Sequence, residues 1–138
     1  SINNVTATQV GMPDTLVSII AGTPDNPLEN ISLRNITITS KGGGSKDLIG
    51  KPVPPDVGRP YGSKPSYGLF CRHIKDLKMH NVQFSYSKED ARPALICKSI
   101  ERLELDGVRG QAGTESDSAI ELENVKKLIA RDTKLQAK

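Results

Sequence analysis

The chain has 138 residues, of which 36% are hydrophobic, 25% charged and 4% aromatic, so its length suits one domain rather than two. No run approaches the roughly 18 consecutive apolar residues that a membrane-spanning helix needs, so we expect no membrane partner. The net charge of +3 comes from interspersed acids and bases, without a basic block carrying aromatic residues, so we expect no nucleic-acid partner.

Apolar residues recur along the chain at one set of offsets from five anchor positions. The anchors are Val5, Ile31, Leu77, Leu103 and Leu128. Their spacings are 26, 46, 26 and 25 residues, so the long gap is one repeat plus an insertion of 20 residues. Mostly apolar residues follow each anchor at offsets of two, five and seven, which predicts two short strands separated by a break in the alternation. A helix would instead space its apolar residues three and four apart.

The residue four positions after each anchor stands at that break. It is Asn35, Asn81, Gly107 or Asp132 in four repeats, and Gln9 in the first. Asn, Asp and Gly adopt the left-handed backbone conformation at lower cost than other residues. We therefore predict a sharp corner between the two strands at this position.

Apolar pairs also precede the later anchors by eight and six residues, which predicts a third strand in each repeat. The pairs are Leu69 and Cys71, Leu95 and Cys97, and Ile120 and Leu122. Three short strands per repeat of about 26 residues, aligned from repeat to repeat, predict an all-β parallel β-helix, a solenoid of about four to five coils. A β-sandwich also has short alternating strands, but its strands need not share one register.

The two cysteines, Cys71 and Cys97, occupy the same predicted inward register on adjacent coils. Neighbouring strands lie about 4.8 Å apart, a distance that permits a disulfide. In-register parallel strands point both side chains the same way, however, so a disulfide would require local twisting. Because Leu122 takes the same register in the next coil, we predict two buried free thiols that fill an apolar column.

Residues 41–64 are the main interruption of the repeat. This segment has a Gly-Gly-Gly-Ser run at residues 42–45 and prolines at positions 52, 54, 55 and 60, and Pro65 follows it. Because proline cannot donate to a sheet ladder, we predict a loop insertion on one face of the solenoid. The glycine run does not predict a phosphate-binding loop, because no Gly-Lys-Ser/Thr ending follows it.

Several short stretches resemble glycoside hydrolase family 28, the polygalacturonase family, in particular its bacterial polygalacturonase-like branch. They are residues 21–31 (AGTPDNPLENI), the glycines 42–44, residues 65–75 (PSYGLFCRHIK) and residues 90–94 (DARPA). The resemblance covers roughly residues 2 to 125 and implies that residues 1–138 are the C-terminal coils of a right-handed parallel β-helix domain. It also implies an acidic, galacturonan-like polysaccharide as partner of the intact protein, and a secreted or periplasmic location.

The family's catalytic motifs do not occur in this chain. The family hydrolyses its substrates with aspartates of an Asn-Thr-Asp motif and an Asp-Asp pair, assisted by Gly-His-Gly and Arg-Ile-Lys motifs, and none of the four is present. We therefore assign no catalytic residue, no metal ligand and no cofactor. We expect the chain to resemble the last third of an enzyme and to be inactive alone, because the acid and base of glycoside hydrolysis are missing.

Arg72 and Lys98 are the candidate substrate-binding residues. Each stands two residues before an isoleucine of its repeat, in the same register, and is expected to point outward from the third strand. The resemblance implies that this sheet carries the substrate cleft, where a pair of cations would bind the carboxylate of a galacturonate. The alternative interpretation is that both are solubilising charges, with Glu123 completing an ordinary row of ion pairs. Glu121 and Glu123 are the best pair of carboxylates for the acid and base of glycoside hydrolysis, but we interpret them as part of a solvated face.

Two other polar groups have structural interpretations. His73 is expected to make a structural hydrogen bond at a corner, and Asp90 is expected to pair with Arg92 as a loop clamp.

The predicted function is thus the C-terminal part of a pectin-acting glycoside hydrolase, supporting a cleft whose aspartates lie elsewhere. The alternative is a non-catalytic β-helix module that binds carbohydrate or serves as a scaffold. An uncapped N-terminal end of the solenoid also predicts association through that end.

Overall fold

The apolar alternation becomes long parallel strands in the structure, a computed structural model that describes residues 1–8, 18–49, 65–116 and 118–135. The strands are β1 (Ile2–Thr8), β2 (Ser18–Ala21), β3 (Ile31–Gly42), β4 (Leu69–Lys88), β5 (Leu95–Gly110) and β6 (Ile120–Arg131). The described residues include no α-helix, and they contain no helix long and apolar enough to cross a membrane.

Every strand pairing in the described part of the chain is parallel. The order within the sheet is β1-β3-β4-β5-β6, and β2 pairs with the first part of β4. Each long strand keeps its register with its neighbour across a corner, as β4 and β5 do on both sides of Asn81. The prediction of an all-β protein built from parallel strands is therefore confirmed.

The anchor residues form one column across the sheet from the second repeat onward. Ile31 pairs with Leu77, Leu77 with Leu103, and Leu103 with Leu128. Leu77 and Leu103 are fully buried because strands flank them on both sides, whereas Leu128 is 41% exposed because β6 is an edge strand. Since burying a leucine side chain stabilises a protein by about 1.5–3 kcal/mol, the two central residues contribute most to this column.

A column of left-handed residues, the first corner column, crosses the sheet beside the anchors. Its members are Asn4, Asn35, Asn81, Gly107 and Asp132, with φ values between 46° and 65°. Asn35 Nδ2 donates to Asn4 Oδ1 at 3.0 Å, and Asn81 Nδ2 donates to Asn35 Oδ1 at 3.0 Å, so three side chains form an amide ladder. The four corners predicted from Asn35 onward are confirmed.

The register predicted for the first repeat is wrong. β1 pairs Val5 with Ile36, so Val5 does not lie in the column of Ile31. The error arises because the same apolar spacing occurs twice within each repeat, and hydrophobicity alone cannot choose between the two alignments. Asn4 decides the register because its side chain extends the amide ladder. Gln9, the predicted corner of this repeat, lies outside the described residues.

The predicted third strand forms the first part of β4, β5 and β6, where Cys71 pairs with Cys97 and Cys97 with Leu122. Both cysteines are free and fully buried, which confirms the predicted pair of core thiols. A hydrogen bond with Cys97 and burial raise the pKa of Cys71 well above its ordinary value. Because the thiolate is the reactive form, Cys71 is expected to be inert in the folded protein.

A buried ion pair fastens the loops at one end of the sheet. Arg92 Nε and Nη2 donate to Asp90 Oδ1 and Oδ2 at 2.9 and 2.8 Å, and both side chains are 0% exposed. The Gly44 N–H donates to Asp90 Oδ2 and the Thr114 N–H to the Asp90 carbonyl, each at 2.9 Å. The predicted clamp between Asp90 and Arg92 is confirmed, and it also holds two neighbouring loops. Burial favours a raised pKa for Asp90, but the hydrogen bonds from Arg92 and Gly44 prevail and lower it.

The predicted loop insertion begins slightly later than the sequence suggests. β3 continues through Gly42, which pairs with Lys88. Gly42 has a φ of +79°, and a Cβ at this position would lie 1.8 Å from the Lys88 carbonyl oxygen, so only glycine fits. A 3-10 turn follows at Lys46–Leu48, and the insertion from residue 50 to residue 64 lies outside the described residues.

Candidate functional site

The candidate site lies along another column of left-handed residues, the second corner column. It consists of His73, Ser99 and Asn124, with φ values of 53°, 56° and 53°, at neighbouring positions of β4, β5 and β6. Asn124 Nδ2 donates to Ser99 Oγ at 3.3 Å. The sequence predicts a corner at His73 but not at Ser99 or Asn124, although the Asn residue type is a signal for the latter.

The residues just before this column form a row of charges, which we call the charge row. Arg72 pairs in register with Lys98, and Lys98 with Glu123, so the three lie side by side on β4, β5 and β6. Lys98 Nζ lies 3.4 Å from Glu123 Oε1, with the two side chains 42% and 66% exposed. This is the ion pair that the alternative interpretation expects, and exposed pairs of this kind contribute about 0–1 kcal/mol to stability.

Arg72 is far less accessible than Lys98. It is 7% exposed, and its Cζ lies 5.6 Å from the centroid of the Phe70 ring, within cation–π distance. Burial lowers the pKa of Arg72, but a guanidinium stays protonated in proteins. Phe70 and Ile96 are buried too, although they lie outside the main core. The sheet face carrying the charge row is therefore covered at Arg72 and open at Glu123.

A tightly hydrogen-bonded loop, residues 22–27, stands beside His73. At its start the Gly22 N–H donates to the Arg72 carbonyl at 2.9 Å, and just after its end the Leu28 N–H donates to the His73 carbonyl at 3.0 Å. A Cβ on Gly22 would lie 2.6 Å from the His73 carbonyl oxygen, so only glycine permits this close approach. The position of the loop relative to the second corner column is therefore fixed by backbone hydrogen bonds.

Two adjoining cavities, together called the corner groove, lie between this loop and the second corner column. The smaller is about 90 Å³ and is lined by Arg72, His73 and residues 22–24. The larger is about 270 Å³ and shares Thr23, Pro24 and His73 with the smaller one. Its further lining residues include Pro27, Ser99, Glu101, Asn124 and Lys126. The groove thus runs from Arg72 along the left-handed corner to β6.

Electrostatics favour a neutral imidazole at the junction of the two cavities. Burial lowers the pKa of His73, and repulsion from the cations Arg72 and Lys98 lowers it further. Since the ordinary value is 6.5, His73 is uncharged at neutral pH and has one nitrogen that donates and one that accepts.

A cavity larger than the corner groove lies elsewhere, at the end of β5 and β6. Its volume is about 680 Å³, and it is lined by Val108, Ile120, Thr133 and an ion pair in which Arg109 Nη2 lies 2.8 Å from Asp132 Oδ2. The described residues that line this cavity include no histidine and no cysteine. Within the described ranges, no group of three or more His, Cys, Asp or Glu side chains is arranged to hold a metal ion.

Comparisons of the chain with protein-family models, curated proteins and solved structures found no match. The resemblance to glycoside hydrolase family 28 therefore rests on the motifs of the sequence itself.

Proposed function

We propose that the chain is the C-terminal part of a pectin-acting, polygalacturonase-like glycoside hydrolase. The finer fold proposal is a right-handed parallel β-helix of about four to five coils, supported by parallel in-register strands and a corner repeated from strand to strand. In this proposal the coils support a substrate cleft whose catalytic aspartates lie outside the chain. The intact protein is proposed to be secreted or periplasmic and to act on an acidic, galacturonan-like polysaccharide.

The observation that carries the proposal is the pairing of Arg72 with Lys98 beside the corner groove. Two neighbouring cations attract a carboxylate, and Lys98 has an exposed ammonium group. Its partner Glu123 is 66% exposed, so the ion pair between them is weak and can be exchanged for one with a ligand carboxylate. Arg72 contributes positive charge from a mostly buried position.

Calorimetric titration of the purified 138-residue chain with trigalacturonate and with neutral galactotriose tests this proposal. We expect only the acidic sugar to bind, and Lys98→Ala to weaken its binding by about tenfold because a charge-assisted contact is lost. The matched control is Lys78→Ala, which removes an exposed lysine from β4 outside the charge row. Absence of binding, equal binding of both sugars, or an equal effect of the control would overturn the proposal.

The alternative, a non-catalytic module for carbohydrate binding or scaffolding, agrees with the absence of the family's catalytic motifs from this chain. Both proposals expect no reducing-sugar release from polygalacturonate by the chain alone. Complementation separates them: adding a polypeptide that carries the family's aspartate motifs and the preceding coils restores hydrolysis only if the chain belongs to an enzyme.

We also propose that the chain associates with a second copy through β1. Ile2 and Val5 are 48% and 38% exposed, and β1 carries no charged side chain that would discourage pairing at this edge. The successive strand pairings place Ala130 of β6 in the same column of the sheet as Ile2 of β1. When β6 of another copy pairs with β1, the small Ala130 side chain therefore lies beside Ile2. Sedimentation should show a mass that rises with concentration and falls to the monomer in Val5→Lys; a monomer throughout would refute this association.

A further inference from the structure

The second corner column contains a residue whose backbone conformation is unfavourable. Asn is common in the left-handed region and His is moderately enriched there, but Ser99 has no such preference. Holding such a residue in a sparsely populated conformation costs on the order of 1 kcal/mol, and residues of this kind cluster at ligand-binding sites. Ser99 lines the corner groove, so the strained position coincides with a concave polar surface.

Backbone hydrogen bonds hold one wall of the corner groove in place. Its outer wall is the loop of residues 22–27, which is hydrogen-bonded to the carbonyls of Arg72 and His73 near its two ends. Inside the loop, Thr23 and Asn26 exchange backbone hydrogen bonds, each of 3.1 Å. A wall held in this way loses little conformational entropy when a ligand binds, which is the condition for useful affinity in a small site.

The groups that line the groove match the surface of a sugar ring. The neutral imidazole of His73 offers one donor and one acceptor. Asn124 uses its amide nitrogen on Ser99, which leaves Asn124 Oδ1 to accept from a sugar hydroxyl and the Ser99 hydroxyl to donate to one. Pro24 and Pro27 present apolar ring surfaces for the C–H face of a pyranose.

The two cavities differ in the part of a ligand that each accommodates. The cavity of about 90 Å³ ends at Arg72 and has room for a group of carboxylate size. The cavity of about 270 Å³ lies near the lower limit for ligand pockets, which suits one sugar ring rather than a longer segment of polymer.

We propose that the corner groove binds one uronic acid residue, with the pyranose ring against the second corner column and its carboxylate toward Arg72. This inference rests on the proposed function and deepens it, because it places one ring of the acidic polysaccharide at His73, Ser99 and Asn124. The carboxylate of a neighbouring ring then lies near Lys98, since Lys98 is the next residue of the charge row.

The test is titration of the 138-residue chain with trigalacturonate, comparing Asn124→Gly with Asn35→Gly. Both substitutions keep a residue that tolerates the left-handed conformation, but only Asn124 lines the groove. We expect Asn124→Gly to weaken binding by about tenfold, the effect of one or two lost hydrogen bonds, and Asn35→Gly to change it by less than about twofold. His73→Asn, which keeps a left-handed residue type, should also weaken binding.

The outcomes separate this inference from the proposed function. If wild-type chain binds trigalacturonate and only Lys98→Ala weakens it, the groove inference fails and the proposed function stands. If galactotriose binds equally well and only the groove variants weaken it, the groove binds sugar but the proposed preference for acidic polymers fails. If neither sugar binds to the wild-type chain, both fail.

Discussion

The protein makes the same left-handed backbone corner in two columns, and the two columns use different residue types. The first corner column contains only Asn, Gly and Asp, the types that adopt this conformation at least cost. The second contains His73, Ser99 and Asn124. No cavity of the corner groove touches the first column, whereas all three members of the second line it. Backbone preference therefore explains the residue types of the first column. It does not explain the residue types of the second column, which we attribute to a role of their side chains in the groove.

The amide ladder shows what the first column contributes. Asn35 both donates to Asn4 and accepts from Asn81, so its amide is satisfied on both sides by neighbouring strands. Each such bond is worth about 0.5–1.5 kcal/mol net, and it also fixes the register of parallel strands. In the second column a single bond joins Asn124 to Ser99, so more of the polar groups are available to a ligand.

The largest expected effect follows from breaking the first column at its centre. Asn81→Val places a β-branched residue in the left-handed region and removes the bond to Asn35, so we expect a loss of roughly 2–3 kcal/mol of unfolding free energy in urea. Gln83→Val is the control, since Gln83 is exposed on the same strand without a positive φ, and it should change stability by less than about 0.5 kcal/mol. Equal losses of unfolding free energy in both variants would mean that the left-handed position tolerates a β-branched residue as well as an ordinary strand position does.

Extending the ladder should stabilise the protein. A Cβ on Gly107 would meet Asn81 N at 3.8 Å, an ordinary contact, and the φ of +65° suits asparagine. Gly107→Asn therefore restricts the unfolded chain and adds a ladder bond to Asn81, for a gain of about 1 kcal/mol measured by urea unfolding. A loss of stability would show that the ladder cannot continue beyond Asn81.

The same reasoning makes Ser99 a site where stability can be gained. Ser99→Asn keeps a hydrogen-bonding side chain and replaces a residue that is unfavourable at a φ of 56°, so we expect a gain of about 0.5 kcal/mol. Thermal unfolding of the variant beside wild type measures this difference. A destabilised variant would contradict the view that Ser99 is strained and is retained for its side chain.

The smallest expected effect is the pH dependence contributed by His73. Its pKa is lowered in the folded protein, first by burial and then by Arg72 and Lys98. A group whose folded pKa is lowered binds more protons when unfolded, so its contribution is complete above the ordinary value of 6.5 and is lost as the pH falls through the folded pKa.

Urea unfolding at about pH 7.5 and about pH 5 checks this sign. Wild type should lose slightly more stability at the lower pH than His73→Asn, which keeps a residue type suited to the left-handed region. Identical losses would show that His73 titrates in the folded state as it does in the unfolded chain.

The first corner column could be predicted from sequence because Asn35, Asn81 and Gly107 carry the conformational preference in their residue type. Its extension to Asn4 could not, because two registers satisfy the apolar pattern equally and only a side-chain contact between strands distinguishes them. Ser99 gives no signal of a left-handed corner.

The candidate site was predicted in part. The shared register of Arg72 and Lys98 follows from the repeat and is confirmed. The burial of Arg72 could not be foreseen, because it depends on packing with Phe70 and on a loop that binds its carbonyl through Gly22. The corner groove is likewise a product of contacts between segments far apart in the chain.

In the described part of the chain, each strand contacts only the strands immediately beside it: β3 does not touch β5, and β4 does not touch β6. Stability in such an array passes from neighbour to neighbour, so opening begins at the two outer strands and moves inward. Amide protons of β1 and β6 should exchange with solvent fastest, and those of β4 and β5 slowest. A destabilising change in β1 then leaves the protection of β5 unaltered, whereas one in β4 divides the array into two pieces that open independently.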